Sequence, residues 1–147
     1  MQLFEGQVQL VLYPFALNPT SEVATQAAWC AGEQDKAGEQ VKFWEFHHML
    51  YRRQELWNRL TAPLERLSEF ARDLNLDTAA LKSCVESGRM RDRMQADKAY
   101  GQHLQVSSTP TLFINDNLDN RVVGTRSEGE LVRLIRQELN RVRPQGQ

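Results

Sequence analysis

The stretch Val106-Ser-Ser-Thr-Pro-Thr-Leu-Phe-Ile-Asn115 decides the fold, because a Thr-Pro pair running straight into an apolar strand is the most specific signal in the chain. Proline has no N–H and a fixed φ, so within a sheet it is confined to the first residue of a strand, to edges and to bulges. Pro110 is therefore expected to open a strand over Thr111 to Asn115. X-Pro bonds are also the only ones that reach cis at low cost. A cis bond here turns the chain tightly and leaves neighbouring backbone groups pointing outward, where they can meet an extended peptide; a trans bond simply starts the strand. The flanks have to decide between them.

On the C-terminal side come an Asp116-Asn117 turn, a strand Arg121-Val-Val-Gly124 and an amphipathic helix from Glu128. Ser127-x-x-Glu130 is a capping box, Leu131, Leu134, Ile135, Leu139 and Val142 form one stripe, and Pro144 closes the helix. On the N-terminal side a helix from about Arg89 to Leu104 leads into the loop. Helix, proline loop, strand, hairpin, strand, helix is thus the predicted order.

Further upstream, Val8-Gln-Leu-Val-Leu-Tyr13 is apolar without alternation, the pattern of a strand buried on both faces, and Pro14 ends it. Asn18-Pro19-Thr20-Ser21 carries helix-start chemistry. The helix after it has a face of small residues, Val23, Ala24, Ala27, Ala28 and Ala31, that lets another element come close. A second helix is expected from about Glu39 to Leu60, with Phe43, Phe46, Leu50, Trp57 and Leu60 facing the core. Pro63 opens a third, with Leu64, Leu67, Phe70, Ala71 and Leu74 as its apolar face. Asp77 caps a fourth with Leu76 and Leu81 at staple positions, and Gly88 stops it.

The chain has 147 residues, 41% hydrophobic and 25% charged, which is ordinary composition for one globular domain. Its formal net charge of -1 provides no global field for nucleic acid or an anionic membrane. The local basic run Arg89-Met-Arg-Asp-Arg93 reads as a solvated helix face. No apolar run approaches the ~18 residues of a membrane span, and no basic region precedes an apolar stretch at the N-terminus. With Met1 as the natural start, the sequence as written is expected in the cytoplasm.

Together with Cys30-Ala-Gly-Glu-Gln34 leading to Lys42-Phe-Trp-Glu-Phe-His47, the motif STPTLFIND and its following short strand resemble the DsbA-like thiol-disulfide oxidoreductases over residues 8 to about 142. The resemblance implies an α/β, thioredoxin-like fold in a single domain: a core of residues 7–17 and 105–143, interrupted by a helical insertion over 19–104. Such a family member carries Cys-x-x-Cys at the start of its first helix, where the helix N-terminus favours the thiolate. That pair is absent. The sequence enters the pattern at the second core strand, which leaves a truncated sheet of about three strands and no redox helix; either a fragment or a natural variant gives this result.

The two cysteines present, Cys30 and Cys84, are too far apart for Cys-x-x-Cys and too few for structural zinc. By themselves they read as two buried free thiols; the resemblance implies instead a structural disulfide tying two helices of the insertion. His47 and His48 diverge by about 100° on a helix and His103 has no visible partner, so no metal site is expected. Trp29, Trp44 and Trp57 read as packing. No nucleotide or phosphate motif appears, and no cofactor is expected. The resemblance leaves Ser108, Thr109 and Pro110 as the substrate-binding loop, with backbone groups for an extended peptide, although Ser107-Ser108 replaces the Gly often found there. No catalytic residue is assigned.

Function therefore reads as a DsbA-like thioredoxin-fold protein, catalytically inactive as written. The alternatives are a peptide-binding or self-associating module, or a glutathione-using relative of the kappa-class transferases and isomerases. A missing central strand exposes unpaired backbone, which makes a homodimer the expected partner state, beside an extended peptide or protein substrate.

Overall fold

A computed structural model of the protein describes residues 2–36, 40–115 and 117–142. The chain forms two compact units, residues 1–100 and 101–147, each taken by itself below.

The first unit is helical. After a 3-10 turn at Gln2–Phe4, residues 8–17 run without helix, turn or bend into α1 (Pro19–Gly32). Asn18 holds an extended backbone and its side chain accepts a hydrogen bond from Ser21 N at 2.8 Å, while Ser21 Oγ accepts from the amides of Asn18 and Leu17, each at 3.0 Å. This reciprocal box satisfies the orphan donors of the first turn, with Pro19 at the position where its missing N–H costs nothing. α2 (Val41–Arg52) lies close to α1 where the latter ends: a Cβ built on Gly32 would come within 3.0 Å of the Phe43 Cβ. α3 (Leu64–Asp73) begins at Pro63, and Asn75 closes it in a left-handed conformation at φ 56. The amide of Leu76 then bonds Ala71 O at 2.9 Å and that of Asn75 bonds Arg72 O at 3.0 Å, the paired reach that ends a helix. Asp77 caps α4 (Thr78–Glu86) through its Oδ1 on Ala80 N at 2.9 Å, and Gly88 follows with φ 69.

The core of this unit packs Phe43, Phe46, Leu67, Phe70 and Leu81 against the alanine face of α1. Ala27 and Ala31 are fully buried, so the short side chains are what bring α1 into contact with α2, α3 and α4.

Two expectations fail here. The segment Val8–Tyr13 is not a strand, because no other segment forms a ladder with it among the described residues. The long second helix stops at Arg52, well short of Leu60. A 3-10 turn over Gln54–Leu56 follows, and the chain folds back so that Trp57 Nε1 donates to Leu50 O at 2.8 Å. Trp57 is thus core without being helical, and Leu60 is exposed. Glu39, the expected start of that helix, lies outside the described residues.

α5 (Arg91–His103) ends in the second unit, which continues through β1 (Thr111–Ile114) and β2 (Asn117–Val123) to α6 (Glu128–Val142). The strands pair antiparallel with Thr111 opposite Val123, Leu112 opposite Val122 and Phe113 opposite Arg121; the register breaks before Ile114. Among the described residues the sheet has two strands, β1 and β2, where about three were expected. β2 is longer than Arg121–Gly124, and Asn115 turns the hairpin at φ 59. Asp116, half of the expected turn, and Pro144, the expected end of α6, lie outside the described residues. The α6 capping box forms: Ser127 N donates to Glu130 Oε2 at 3.0 Å and Glu130 N donates to Ser127 Oγ at 3.3 Å.

Candidate functional site: the proline loop and the sulfur pair

α5 ends where Gln105 adopts φ 55, with the amides of Gln105 and Val106 bonded to Gln102 O and Gly101 O at 2.9 Å each. This closure directs the chain into Ser107–Pro110, all of it exposed. Arg121 on β2 braces the entry, its guanidinium donating to Leu104 O and Gln105 O at 3.3 and 3.4 Å. The loop bends over Ser108, Thr109 and Pro110, and the Thr109–Pro110 peptide bond is cis. Thr111 Oγ1 donates to Ser108 O at 2.6 Å and Gly124 N donates to Pro110 O at 2.8 Å, so the hairpin ladder extends to the proline. Between these two ties the N–H and C=O of Thr109 have no partner among the described residues. They form an exposed donor and acceptor on one residue, held by neighbours that are fixed.

No sulfur belongs to this unit: residues 101–147 contain no cysteine. The two cysteines of the chain are joined to one another in the first unit, Cys30 of α1 to Cys84 of α4, with Cα atoms 6.0 Å apart. Both are buried among Ala27, Leu81 and their neighbours. Two free thiols, the reading of the cysteines taken by themselves, is thereby corrected. Ser87 Oγ donates to Cys84 O at 2.8 Å, and Gln34, four residues beyond Cys30, exchanges hydrogen bonds with the Asp77 backbone at 2.7 and 3.0 Å. The bridge and the Gln34–Asp77 pair thus join the same two helices, while the Ser87 bond is local to the end of α4.

The histidines do not converge on a metal. Among the described residues no group of three or more His, Cys, Asp or Glu could hold one. His47 lies half-buried between Trp44 and Tyr51, with ring centroids at 5.4 and 4.9 Å. Burial, and then the nearby His48, lower its pKa.

Two arrangements were not legible in the sequence. Arg93, read as part of a solvated run, lies over the Trp29 indole with its guanidinium carbon 3.3 Å from the ring centroid, while Phe43 stacks on the same indole at 4.3 Å. In α6, Glu138 is buried and its two oxygens accept from Asn115 Nδ2 at 3.1 Å and Asn120 Nδ2 at 3.0 Å, with Arg141 Nε donating to both. The hydrogen bond from Arg141 is the first of the effects that hold the Glu138 carboxyl below its usual range, and those from Asn115 and Asn120 add to it. One carboxylate therefore clamps the hairpin turn onto the last helix. The isolated Glu in an amphipathic helix gave no signal for this, since Asn115 and Asn120 lie far away in the sequence and only Arg141 is near.

Among the described residues no helix is long and apolar enough to cross a membrane. A family model described as Thioredoxin matches residues 2–136. No curated protein and no solved structure matches.

Proposed function

Since this chain belongs to the thioredoxin family, we propose that it is a DsbA-like member of the thiol-disulfide oxidoreductase line that holds an extended polypeptide at Ser108, Thr109 and Pro110 and performs no exchange with its own sulfurs. The observation that carries the reading is the state of the cysteines. Exchange needs a thiolate to attack, and a reactive one is partly exposed in a setting that favours its charge. Here the two cysteine sulfurs are spent on each other inside a core, and the loop's own unit has no cysteine. The loop retains the other half of the family's chemistry, which is recognition: an extended chain laid beside Thr109 gains a main-chain hydrogen bond from its N–H and another to its C=O, as in strand addition.

Insulin reduction followed by turbidity tests the first part, and the 147-residue protein is expected to give the uncatalysed rate. Turnover that survives Cys30→Ser with Cys84→Ser would refute the assignment of sulfur roles, and turnover lost with that pair would make the bridge itself the redox centre. Binding of a labelled, unfolded polypeptide tests the second part. Thr109→Pro deletes one donor and should weaken binding by about fivefold, the equivalent of ~1 kcal/mol. Thr109→Val keeps the backbone and should bind like the parent; the opposite ranking would place recognition in the side chain.

A further inference from the structure

The proline loop lies in an uncharged stretch bracketed by two arginines of its own unit. From Leu104 to Asn115 no residue is charged, and the acids of residues 101–126, Asp116 and Asp119, both come between Asn115 and Arg121 in sequence. Arg121 stands at the entry to the loop, its guanidinium on Leu104 O and Gln105 O. Arg126 stands beyond the proline. Gly124 N donates to Pro110 O at 2.8 Å with Gly124 at φ 79, and a Cβ built on that glycine would meet, beyond its chain neighbours, only Arg126 Nη1, at 3.9 Å. The space over Gly124 is therefore open, next to the proline, with a guanidinium at its rim. A positive φ keeps it open, since an L side chain is strained there.

Both arginines are exposed, and their donors go to main-chain carbonyls, Arg126 Nη1 to Thr125 O at 2.9 Å. Among the described residues of this unit the one ion pair joins Arg141 to Glu138. Glu130, one turn beyond Arg126, has its carboxylate engaged by Ser127 N and Ser127 Oγ. Neither arginine beside the loop is thus paired with a carboxylate of the unit. We propose that the polypeptide held at Thr109 is selected by charge: an acidic side chain, close in sequence to the residue that pairs with Thr109, enters the space over Gly124 and is met by Arg126. A carboxylate there gains charge-assisted hydrogen bonds from a planar guanidinium with donors to spare, while a lysine at the same place is repelled. The inference rests on the reading of Ser108, Thr109 and Pro110 as a polypeptide site and adds to it the class of substrate.

Three labelled, unfolded peptides, alike except for Asp, Ala or Lys at one position that is moved along the sequence, test this by fluorescence anisotropy with the full chain. At the best position the Asp peptide should bind about threefold tighter than the Ala peptide, the range of an exposed ion pair, and the Lys peptide weakest. Raising the salt from about 0.01 to about 0.15 M should narrow the spread, a readout that needs no substitution. Arg126→Lys should keep the order, Arg126→Gln should bring the Asp and Ala peptides together, and Arg126→Glu should put the Lys peptide first. Thr109→Pro should weaken all three alike. Peptides that bind the parent with no preference by charge, or a preference that survives both Arg126→Gln and Arg126→Glu, would overturn this inference and leave the loop reading standing. Failure of all three to bind the parent would overturn the loop reading, and this inference with it.

Discussion

Asp97 and Glu138 are carboxylates with opposite environments, and their pH behaviour should have opposite sign. Burial pushes the Asp97 carboxyl above its usual range, with Arg93 one turn earlier pulling part of the way back, and its Oδ2 has no hydrogen-bond partner. A raised folded pKa means that the charged form is the costly one. The cost is present in full above that pKa and vanishes below the ordinary carboxylate value. Asp97→Asn should therefore raise the melting temperature at neutral pH, with the gain shrinking as the pH is lowered. Glu138 is the reverse: its contribution is complete above the ordinary carboxylate range and is lost as pH falls through its depressed value. Glu138→Gln presents an amide donor to one of the Asn115 and Asn120 donors, so it should melt lower at neutral pH and converge with the parent in acid. Melting curves across pH for the three proteins would check both signs. Neither role is readable from one residue's neighbours in sequence, because burial and partners are set by elements far along the chain.

At the scale of elements, helix ends were legible because their chemistry is local. Asn18, Asp77 and the Ser127-Glu130 pair cap where the sequence places them, and Asn18→Ala should cost about 1 kcal/mol in a denaturant titration. The end of α5 shows what such rules miss. Gln105 takes a left-handed conformation that glycine adopts without penalty, so Gln105→Gly should gain up to about 1 kcal/mol, and a loss would mean that the side chain has an unrecognised role. The strand expected at Val8–Tyr13 failed for a physical reason. A β pattern states that a segment fits a sheet, while the ladder itself needs a neighbour, and periodicity carries no information about neighbours. The overlong second helix failed similarly: Trp57 keeps helical spacing with Leu50, yet it reaches the core by folding back onto the Leu50 carbonyl.

For the whole molecule, family membership was readable from the proline loop and its flanks, and the pairing of Cys30 with Cys84 was readable only through resemblance, since two lone cysteines predict nothing about distance. The bridge spans 54 positions, which on chain-entropy arithmetic stabilises the fold by about 4 kcal/mol. Cys30→Ser with Cys84→Ser, or reductant added to the parent, should lower the denaturation midpoint accordingly; an unchanged midpoint would show that the polar tie between Gln34 and Asp77 suffices. That figure is comparable with the total stability of many domains of this size. Opening one covalent bond would therefore raise the unfolded fraction by about a thousandfold. Proteases act on that fraction, so the abundance of this protein would follow the thiol balance of its surroundings, and its lifetime would report the redox conditions in which it is kept.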